Sequence, residues 1–521
     1  MNMLLKGKQL IMESILSRYK CIWKEVTGTI IMIIPILIYA GLSMPAADDF
    51  TNAVSTMEYW NKYPNSLIAA AVKTFDLYFD VGGYYFSAYL NFFFVPILRF
   101  GINGIRVFNV LTHIFFFFSA YYMVASFTNY VLRGNLKLKW LLFVLFLFSL
   151  INNYCNSEIY TWYCVMVAYV LPLAFMFIMV GLFIRSCYTG NILVLMLASV
   201  IGFLVSGATL NTVALNCEII FLIGLYLYFV LGRKRDALII SSFVLTGAIV
   251  NAIAPGNFAR HELTSHDYSL WMPIVNAVFI TLKLLVKKIL FTWFVPIFVA
   301  VFILIYNYCD LRTINVEVYS PIRVFLLFFI GVSLVNFPVV FGYSADGLPD
   351  RCVFVQDVAV YLFGFLWVIN LVGWFKNKYG YESIHLELIR SYYDKIMTHK
   401  LGWVAKVICL YYVIVLFCVP MTTIQMIYSI ENNTLKDYII YEQDILNEIE
   451  SSNNEVIGIK RSYKLSSRFM MDLGLSEDSS NWVNKSMCLF YNKKEISVNY
   501  INDKKLRGTN FLEYVFKGNG K

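Results

Sequence analysis

Two adjacent carboxylates, Asp48 and Asp49, follow the first long apolar run of the sequence, and Phe50 comes directly after them. A carboxylate at the membrane edge can act as a general base that removes a proton from a hydroxyl group, and a pair can bind a divalent cation. The structural alternative is a helix start, because an aspartate there accepts hydrogen bonds from backbone N–H groups. We take both as candidate catalytic residues and favour Asp49 as the base, since Phe50 beside it can anchor the loop at the membrane.

Glu158 is the third candidate catalytic carboxylate. It lies between two apolar runs, in a polar stretch that includes Asn152, Asn153, Asn156 and Tyr160. A carboxylate next to a membrane is costly unless it is used or paired. Glu158 therefore either assists the base and hydrogen-bonds a sugar, or forms a structural pair.

A turn-forming stretch at 255–261 contributes the first candidate cation. Gly256 and Asn257 predict left-handed backbone conformations that expose N–H groups, and Arg260 adds a planar, bidentate cation. Together they suit a phosphate ester or diphosphate. The alternative is a loop that ends a helix, with Arg260 bound to ordinary lipid head groups.

Two more cationic positions complete the candidate set for a donor phosphate. Arg351 follows Asp350 at the start of another apolar run, and Lys283, Lys287 and Lys288 share one helical face by their spacing. These cations can attract an anionic donor, although lysines near a membrane also snorkel to the interface. The candidate phosphate-binding residues are Arg260, Arg351, Asn257 and Lys283.

Neither the histidines nor the cysteines have the spacing of a metal site. The 5 His are scattered without an HExxH pattern, and none of the 10 Cys forms a CxxC pair. Most of the cysteines lie inside apolar runs, where they are typical helix-packing residues. We predict no metal among the site residues and no cofactor, apart from the divalent cation that the acidic pair can accept.

Composition decides the class of protein that carries these residues. Hydrophobic residues make up 59% of the 521 residues and charged residues only 14%, with a mean hydropathy of +0.65. A soluble domain has about 45–50% apolar and about 25% charged residues, so a water-soluble enzyme is excluded. About eleven apolar runs reach or approach the roughly 20 residues that cross a bilayer. They are 28–44, 105–127, 138–151, 162–184, 192–205, 213–231, 237–254, 289–306, 321–341, 354–375 and 404–427.

Basic residues predict the orientation. They cluster at the N-terminus, at 133–139, at 233–235 and at 376–406, which all fall on one side of the membrane if eleven runs cross it. That side is the cytoplasm. The net charge of +9 therefore reflects orientation in the lipid bilayer and not binding of nucleic acid. The candidate site residues all fall on the opposite, outer side.

The predicted fold class is an all-α polytopic membrane protein with about 11 transmembrane helices. We divide the chain into a basic cytoplasmic N-terminus (1–27), a transmembrane domain (28–428) and an extracytoplasmic C-terminal domain (429–521). The long outer loop 45–104 predicts amphipathic interfacial helices at 57–60, 67–79 and 85–98, and 272–288 predicts another. The polar tail with its short apolar patches predicts a small α+β domain on the outer face.

The order of these motifs resembles the GT-C superfamily of membrane glycosyltransferases. A short cytoplasmic N-terminus, one span and an acidic pair that opens a long outer loop are common to both. Further motifs resemble a bacterial branch of that superfamily: Asp48-Asp49-Phe50, Asn156-Ser157-Glu158 before Tyr160-Thr161-Trp162, the Pro-Gly-Asn-x-x-Arg run within 254–260, Asp350-Arg351 before Phe354, and Trp482-Val483-Asn484-Lys485 ahead of Tyr491. The chain departs from the pattern at Cys217-Glu218, because Glu218 falls within a span and not near an outer helix end.

The resemblance implies an inverting glycosyltransferase with a polyprenyl-phosphate sugar as donor and a cell-envelope glycan as acceptor. It places the active face outside the bacterial cytoplasmic (inner) membrane, with an acidic residue of the first outer loop as the base. One alternative is a transporter or flippase of lipid-linked glycans, which would carry polar residues in mid-membrane; beyond Glu218 we identify no intramembrane charge pair. The others are a glycan polymerase or ligase, usually marked by a large outer loop late in the chain, and a membrane scaffold.

Overall fold

The fold is described by a computed structural model for residues 23–152, 157–264, 271–309, 319–343, 348–379, 402–418 and 421–507. Within these residues most of the chain is α-helical and only two strands occur. An α-helix satisfies its own backbone hydrogen bonds, so it is the element that a chain this apolar can place in a bilayer. The predicted all-α, multi-pass class is confirmed at this level.

The helices are numbered in chain order. They are α1 (Trp23–Gly41), α2 (Asp48–Lys62), α3 (Ser66–Asp80), α4 (Tyr85–Phe94), α5 (Pro96–Ser126), α6 (Leu136–Ile151), α7 (Ser157–Thr161), α8 (Tyr163–Thr189), α9 (Ile192–Val205), α10 (Leu210–Leu225), α11 (Lys234–Ala252), α12 (Pro255–Thr264), α13 (Trp271–Phe291), α14 (Phe294–Tyr308), α15 (Pro321–Tyr343), α16 (Asp350–Tyr379), α17 (Gly402–Cys418), α18 (Thr422–Glu431), α19 (Thr434–Ser451) and α20 (Trp482–Tyr491). The strands are β1 (Val456–Ser466) and β2 (Glu495–Arg507). Short π-helical turns extend α5 and α10.

Seven of the described helices are long and apolar enough to cross a membrane: α1, α5, α8, α10, α11, α15 and α16. An eighth crossing results if α13 and α14, bent by 78° relative to each other, form one span. The predicted runs 138–151, 192–205 and 404–427 correspond to α6, α9 and α17, which have 16, 14 and 17 residues. These three are shorter than the roughly 20 residues that a bilayer core requires. The multi-pass class is therefore supported, and the eleven crossings stay a prediction.

The reversal between α8 and α9 follows from two residues. Gly190 ends α8 in a left-handed conformation with φ of 70°, which glycine adopts without strain because it has no Cβ. The side chain of Asn191 then accepts hydrogen bonds from the N–H groups of Leu193 and Val194 at the start of α9. The two helices consequently pack side by side as an antiparallel pair.

Three helices, α2, α3 and α4, occupy the long loop 45–104, where interfacial helices were predicted. Ile68, Phe75 and Phe79 of α3 are exposed and lie on one helical stripe by their spacing. An apolar stripe on a short helix of this kind is typical of a helix that lies in the membrane interface.

The predicted helix 85–98 is two helices in the structure. Helix α4 ends at Phe94 because Val95 has φ of 26°, outside the helical region. Pro96 then begins α5, at a position where the missing N–H of proline is not needed. A kink at Phe100 and Gly101, where Gly101 has φ of 59°, follows the first turn of α5, and the second long helix continues from there.

Several helix ends and loops meet at one end of the bundle, which we call the site face. It comprises the segments 43–49, 82–87, 157–161, 206–209, 251–260 and 350–351. Hydrogen bonds join them, among others from the N–H of Phe86 to the carbonyl of Gly207 at 2.8 Å. The N–H of Thr423 points to Oδ1 of Asn152 at 3.4 Å, which brings the start of α18 to the same face.

The C-terminal residues pack onto the site face. Strands β1 and β2 are parallel, and α20 connects them, as parallel pairing requires a crossover. The N–H of Ala47 donates to the carbonyl of Leu473 at 3.2 Å, and the hydroxyls of Thr51 and Ser486 lie 2.7 Å apart. The C-terminal part thus covers α2, the helix that begins with the acidic pair.

Candidate functional site

Asp49 lies at the first turn of α2 and is only 1% exposed. Its carboxylate oxygens accept hydrogen bonds from the N–H groups of Ala46 at 2.8 Å and Cys164 at 3.2 Å. Burial raises the pKa of Asp49 to about 7, and these hydrogen bonds oppose that effect. Asp49 therefore ties the start of α2 to α8. This role is structural, but it differs from the helix cap considered from the sequence, because the N-terminus of α2 has no side-chain cap.

Asp48 has different surroundings, although it is adjacent in sequence. It is half-buried, and burial raises its pKa, whereas the charges of Arg351 and Arg260 lower it. Those arginines belong to α16 and α12, so three elements far apart in sequence bring charges together. We call Asp48, Glu158, Arg260 and Arg351 the charged cluster.

Glu158 holds Arg351 in place. The guanidinium Nη1 of Arg351 lies 3.3 Å from Oε2 of Glu158, and the backbone N–H of Arg351 donates to the same oxygen at 3.1 Å. The ring of Trp162 lies beneath the guanidinium at 5.8 Å. Glu158 thus satisfies an N–H group at the start of α16 and also orients the cation, which is a positioning role for a predicted catalytic carboxylate.

Polar residues of α5 fix the short helix α7 that carries Glu158. Asn109 donates to the carbonyl of Thr161 at 2.9 Å and to the hydroxyl of Ser43 at 3.0 Å. One turn further, Nε2 of His113 lies 3.1 Å from the carbonyl of Tyr160. The buried polar groups of α5 thus position the site through their hydrogen bonds. The bond of His113 joins two helices, as is typical of a histidine within a membrane span.

The predicted phosphate loop at 255–261 is the beginning of a helix, α12. Neither Gly256 nor Asn257 has a left-handed conformation, so that prediction was wrong. Glycine is required for packing: a Cβ on Gly256 would lie 2.3 Å from the backbone N of Gly82. Asn257 accepts from the N–H of Gly83 at 3.1 Å and donates to the carbonyl of Asn251 at 2.7 Å. Asn257 therefore holds α12 against the loop after α3. Of the predicted phosphate-binding residues in this segment, Arg260 is the one that remains a candidate.

The three lysines of α13 have different surroundings. Lys283 and Lys287 are exposed, and Lys287 lies within electrostatic range of Asp350 beside the charged cluster. Lys283 forms no ion pair with the residues that the structure describes. Lys288 is buried and pairs with Asp357 of α16. Lys287, one turn beyond Lys283, is thus a further cation beside the charged cluster, and the role of Lys283 stays a prediction.

Sequence reasoning missed the buried pair of Lys288 and Asp357. Both side chains are almost completely buried, so the expectation that no intramembrane charge pair exists was wrong. The signal was available: Gln356 and Asp357 interrupt the apolar run 354–375. Polar side chains inside a span are costly and mark a partner or a function.

A cavity of about 360 Å³ lies toward the end of the bundle opposite the site face. Its walls are almost wholly apolar and come from α5, α6, α8, α10, α14 and α16, with Phe146, Ile184, Leu227 and Leu366 among the lining residues. It does not adjoin the charged cluster. In the described part of the chain, no group of three His, Cys, Asp or Glu side chains is arranged to hold a metal ion.

No family model matches this chain, and no curated protein matches it.

Proposed function

We propose that the chain is a membrane glycosyltransferase that moves a sugar from a polyprenyl-phosphate donor to a cell-envelope glycan at the outer face of the bacterial cytoplasmic membrane. One observation carries the proposal: Asp48, at the start of the first loop helix, lies within electrostatic range of Arg260 and Arg351. A carboxylate beside two cations provides a proton acceptor and a phosphate site in one place.

In this mechanism Asp48 removes the proton of an acceptor hydroxyl. The hydroxyl oxygen then attacks the anomeric carbon of the donor sugar with inversion, and the bond to the lipid phosphate breaks. Arg260 and Arg351 stabilise the charge that develops on the departing phosphate. Both oxygens of Asp49 already accept backbone hydrogen bonds, so we assign the base to Asp48 although Asp49 was favoured from the sequence.

Contacts at the site face support the outer location of the C-terminal residues and the crossing count. The ends of α1, α6 and α9 lie there, as do the starts of α8, α10 and α16. Because Asp48 and Thr423 lie on one face, the chain between them crosses the membrane an even number of times. With α1, eleven crossings fit this condition if α6, α9 and α17 each cross with help from flanking residues.

A transporter of lipid-linked glycans is the second candidate. The buried ion pair between Lys288 and Asp357 favours it, because transporters carry paired charges within their spans. The two functions differ in product. An enzyme forms a new glycosidic bond itself. A transporter forms none, and its loss changes the glycan only if a separate enzyme on the outer face depends on the transported substrate.

The proposal is tested by the composition of the envelope glycan in cells that lack the chain. Mass spectrometry should show loss of a sugar substituent, and the wild-type chain should restore it. Asp48→Asn keeps the size of the side chain but removes the proton acceptor, so the rate should fall about 10²–10⁴-fold and the substituent should stay absent. Asp80→Asn, an exposed aspartate at the end of α3, is the matched control and should restore it. An Asp48→Asn chain that restores the glycan at normal protein level contradicts the enzymatic role.

A further inference from the structure

The apolar cavity opposite the site face reaches the surface of the bundle. Leu222 of α10 and Leu366 of α16 are among its lining residues, and they are 42% and 45% exposed. Phe221, the neighbour of Leu222, is more exposed still. Both helices are long and apolar enough to cross a membrane, so an opening between them meets hydrocarbon and not water.

The cavity extends along the bundle for about the depth of one leaflet. Its lining residues on α10 run from Ile219 to Leu231, a rise of about 18 Å along a helix. The hydrocarbon core of a bilayer is about 30 Å thick, so each leaflet contributes about 15 Å. Apolar cavities do not hold water, and these walls are almost wholly apolar. An acyl chain of a lipid in the adjoining leaflet thus matches the cavity in length and in polarity.

Two arginines lie at the end of the cavity that is remote from the site face. Val131, which ends the π-helical turn after α5, and Leu231, which follows the turn after α10, both line the cavity. Arg133 and Arg233 each follow two residues later. Arg133 also lies within electrostatic range of Tyr188, another lining residue. The apolar cavity therefore has a cationic end.

The two arginines differ in their partners. Arg233 donates to the carbonyl of Ser186 at 3.3 Å and pairs with Asp236 at 2.5 Å, so its position is fixed. Arg133 is exposed and forms no ion pair with the residues that the structure describes. A phosphate group would supply the anion, because a guanidinium group binds phosphate oxygens through two parallel hydrogen bonds.

We propose that the cavity binds one acyl chain of an anionic phospholipid of the cytoplasmic leaflet, with the lipid phosphate at Arg133 and Arg233. The basic clusters predict that this end of the bundle is cytoplasmic, and basic residues on that side attract anionic lipids. The polyprenyl-phosphate donor is a different ligand, because its phosphate belongs to the charged cluster at the opposite end. The inference does not rest on the proposed glycosyl transfer, since no residue of the charged cluster lines the cavity.

Native mass spectrometry of the purified, full-length protein tests the head-group site. Phosphatidylglycerol should bind at least about fivefold more tightly than phosphatidylcholine with the same chains, and Arg133→Gln should lower its affinity about fivefold, the contribution of one basic residue at a lipid surface. Arg235→Gln removes another exposed cation, at the start of α11, and is the matched control. Equal affinity for the two head groups, or an equal loss in both variants, overturns the proposal.

A substitution at the opening tests the acyl-chain site in the same assay. Leu366→Trp places a larger side chain in the opening between α10 and α16, so the tight binding of phosphatidylglycerol should be lost. Leu334→Trp adds the same ring at an exposed position of α15 that does not line the cavity, and it should keep that binding. Tight binding that survives in a folded Leu366→Trp protein contradicts the proposal.

Photo-crosslinking of the unsubstituted chain covers the case in which a variant does not fold. The protein in lipid nanodiscs is irradiated with phosphatidylglycerol or phosphatidylcholine that carries a diazirine in mid-chain. Phosphatidylglycerol should label Leu366 several-fold more than phosphatidylcholine does, whereas both should label the exposed Leu334 equally. Labelling of Leu366 that is independent of the head group, or that an equal concentration of a short-chain polyprenyl phosphate suppresses, overturns the proposal.

Discussion

Asp48 and Asp49 occupy neighbouring positions of one helix, yet about 100° of helical rotation separates their side chains. That rotation gives Asp49 two backbone donors and near-complete burial, and it leaves Asp48 half-buried and within electrostatic range of the arginines. A dipeptide cannot reveal this division of roles, because it depends on where α2 begins and on which side α8 packs. The proposed base therefore changes from Asp49 to Asp48.

Arg260 offers the sharpest test of the donor site among single residues. If it binds the lipid phosphate, Arg260→Ala should weaken binding of a short-chain polyprenyl phosphate by about 2–5 kcal/mol, the range for truncating one partner of a buried charge pair. Binding is measured with purified protein in lipid nanodiscs. Lys62→Ala removes an exposed cation from the end of α2 and is the control. Unchanged affinity in a folded Arg260→Ala protein would assign Arg260 to ordinary lipid contacts.

The positions of the basic clusters along the sequence predicted that Asp48, Glu158, Arg260 and Arg351 lie on the same side of the membrane. In the structure these four residues form the charged cluster. Sequence could not show that Asn257 serves packing, because its partners, Gly83 and Asn251, become neighbours only in the folded chain. The same reason explains why Lys287, which acts on Asp350, was not singled out from the sequence. The sequence shows the order of charged residues along the chain, whereas the partner of each charge depends on tertiary contacts.

At the scale of elements, the segment before α20 connects the C-terminal residues to α2. The N–H of Leu473 donates to Glu442 of α19 at 3.3 Å, and the carbonyl of Leu473 accepts from Ala47, next to Asp48. Glu442 is buried, and burial together with the nearby Asp472 raises its pKa to about 8. A single protonated carboxyl thus supports the contact that covers the start of α2.

This arrangement predicts a stability that depends on pH. The folded state keeps its proton on Glu442 up to about pH 8, whereas an unfolded glutamate loses it near 4.3. The folded state binds more protons between these values, so its contribution to stability is present at low pH and is lost as the pH rises toward 8. The melting temperature of the purified protein should fall between about pH 5 and pH 8 and level off above that, and Glu442→Gln should reduce that fall. Glu495→Gln, an exposed glutamate of β2, should leave the wild-type profile; a Glu442→Gln profile that matches wild type contradicts the assignment.

The elements were predictable where periodicity and turn residues agree. The loop helices α2, α3 and α4 and the reversal at Gly190 and Asn191 are of this kind. The break at Val95 was not, because an aromatic and aliphatic run continues across it. The boundary between α13 and α14 lies a few residues past the predicted one between 272–288 and 289–306, but its 78° angle was not predictable. Hydropathy identifies a helix that enters a membrane, but it does not identify where a bend redirects it.

For the whole molecule, the decisive property is which loops share a side. We predict that Asn61 and Ser480 lie outside and that Arg235 lies in the cytoplasm; the loop near Lys395, also predicted on the cytoplasmic side, lies outside the described residues. Single cysteines at these three positions, on a cysteine-free background, are labelled with an impermeant maleimide before and after permeabilisation. Asn61→Cys and Ser480→Cys should react at once, and Arg235→Cys only after permeabilisation. Labelling of Arg235→Cys in intact cells would show that one of the short helices assigned as a crossing does not cross the membrane.

The central claim is that the charged cluster binds the phosphate of a lipid-linked donor opposite a carboxylate base. A cryo-EM structure of the protein with a non-transferable polyprenyl-phosphate sugar analogue tests this most directly. The account predicts phosphate density within hydrogen-bond distance, about 3 Å, of the guanidinium groups of Arg260 and Arg351, with the sugar beside Asp48. Phosphate density on the opposite face of the bundle, or at the site face with both arginines turned away from it, would contradict the account.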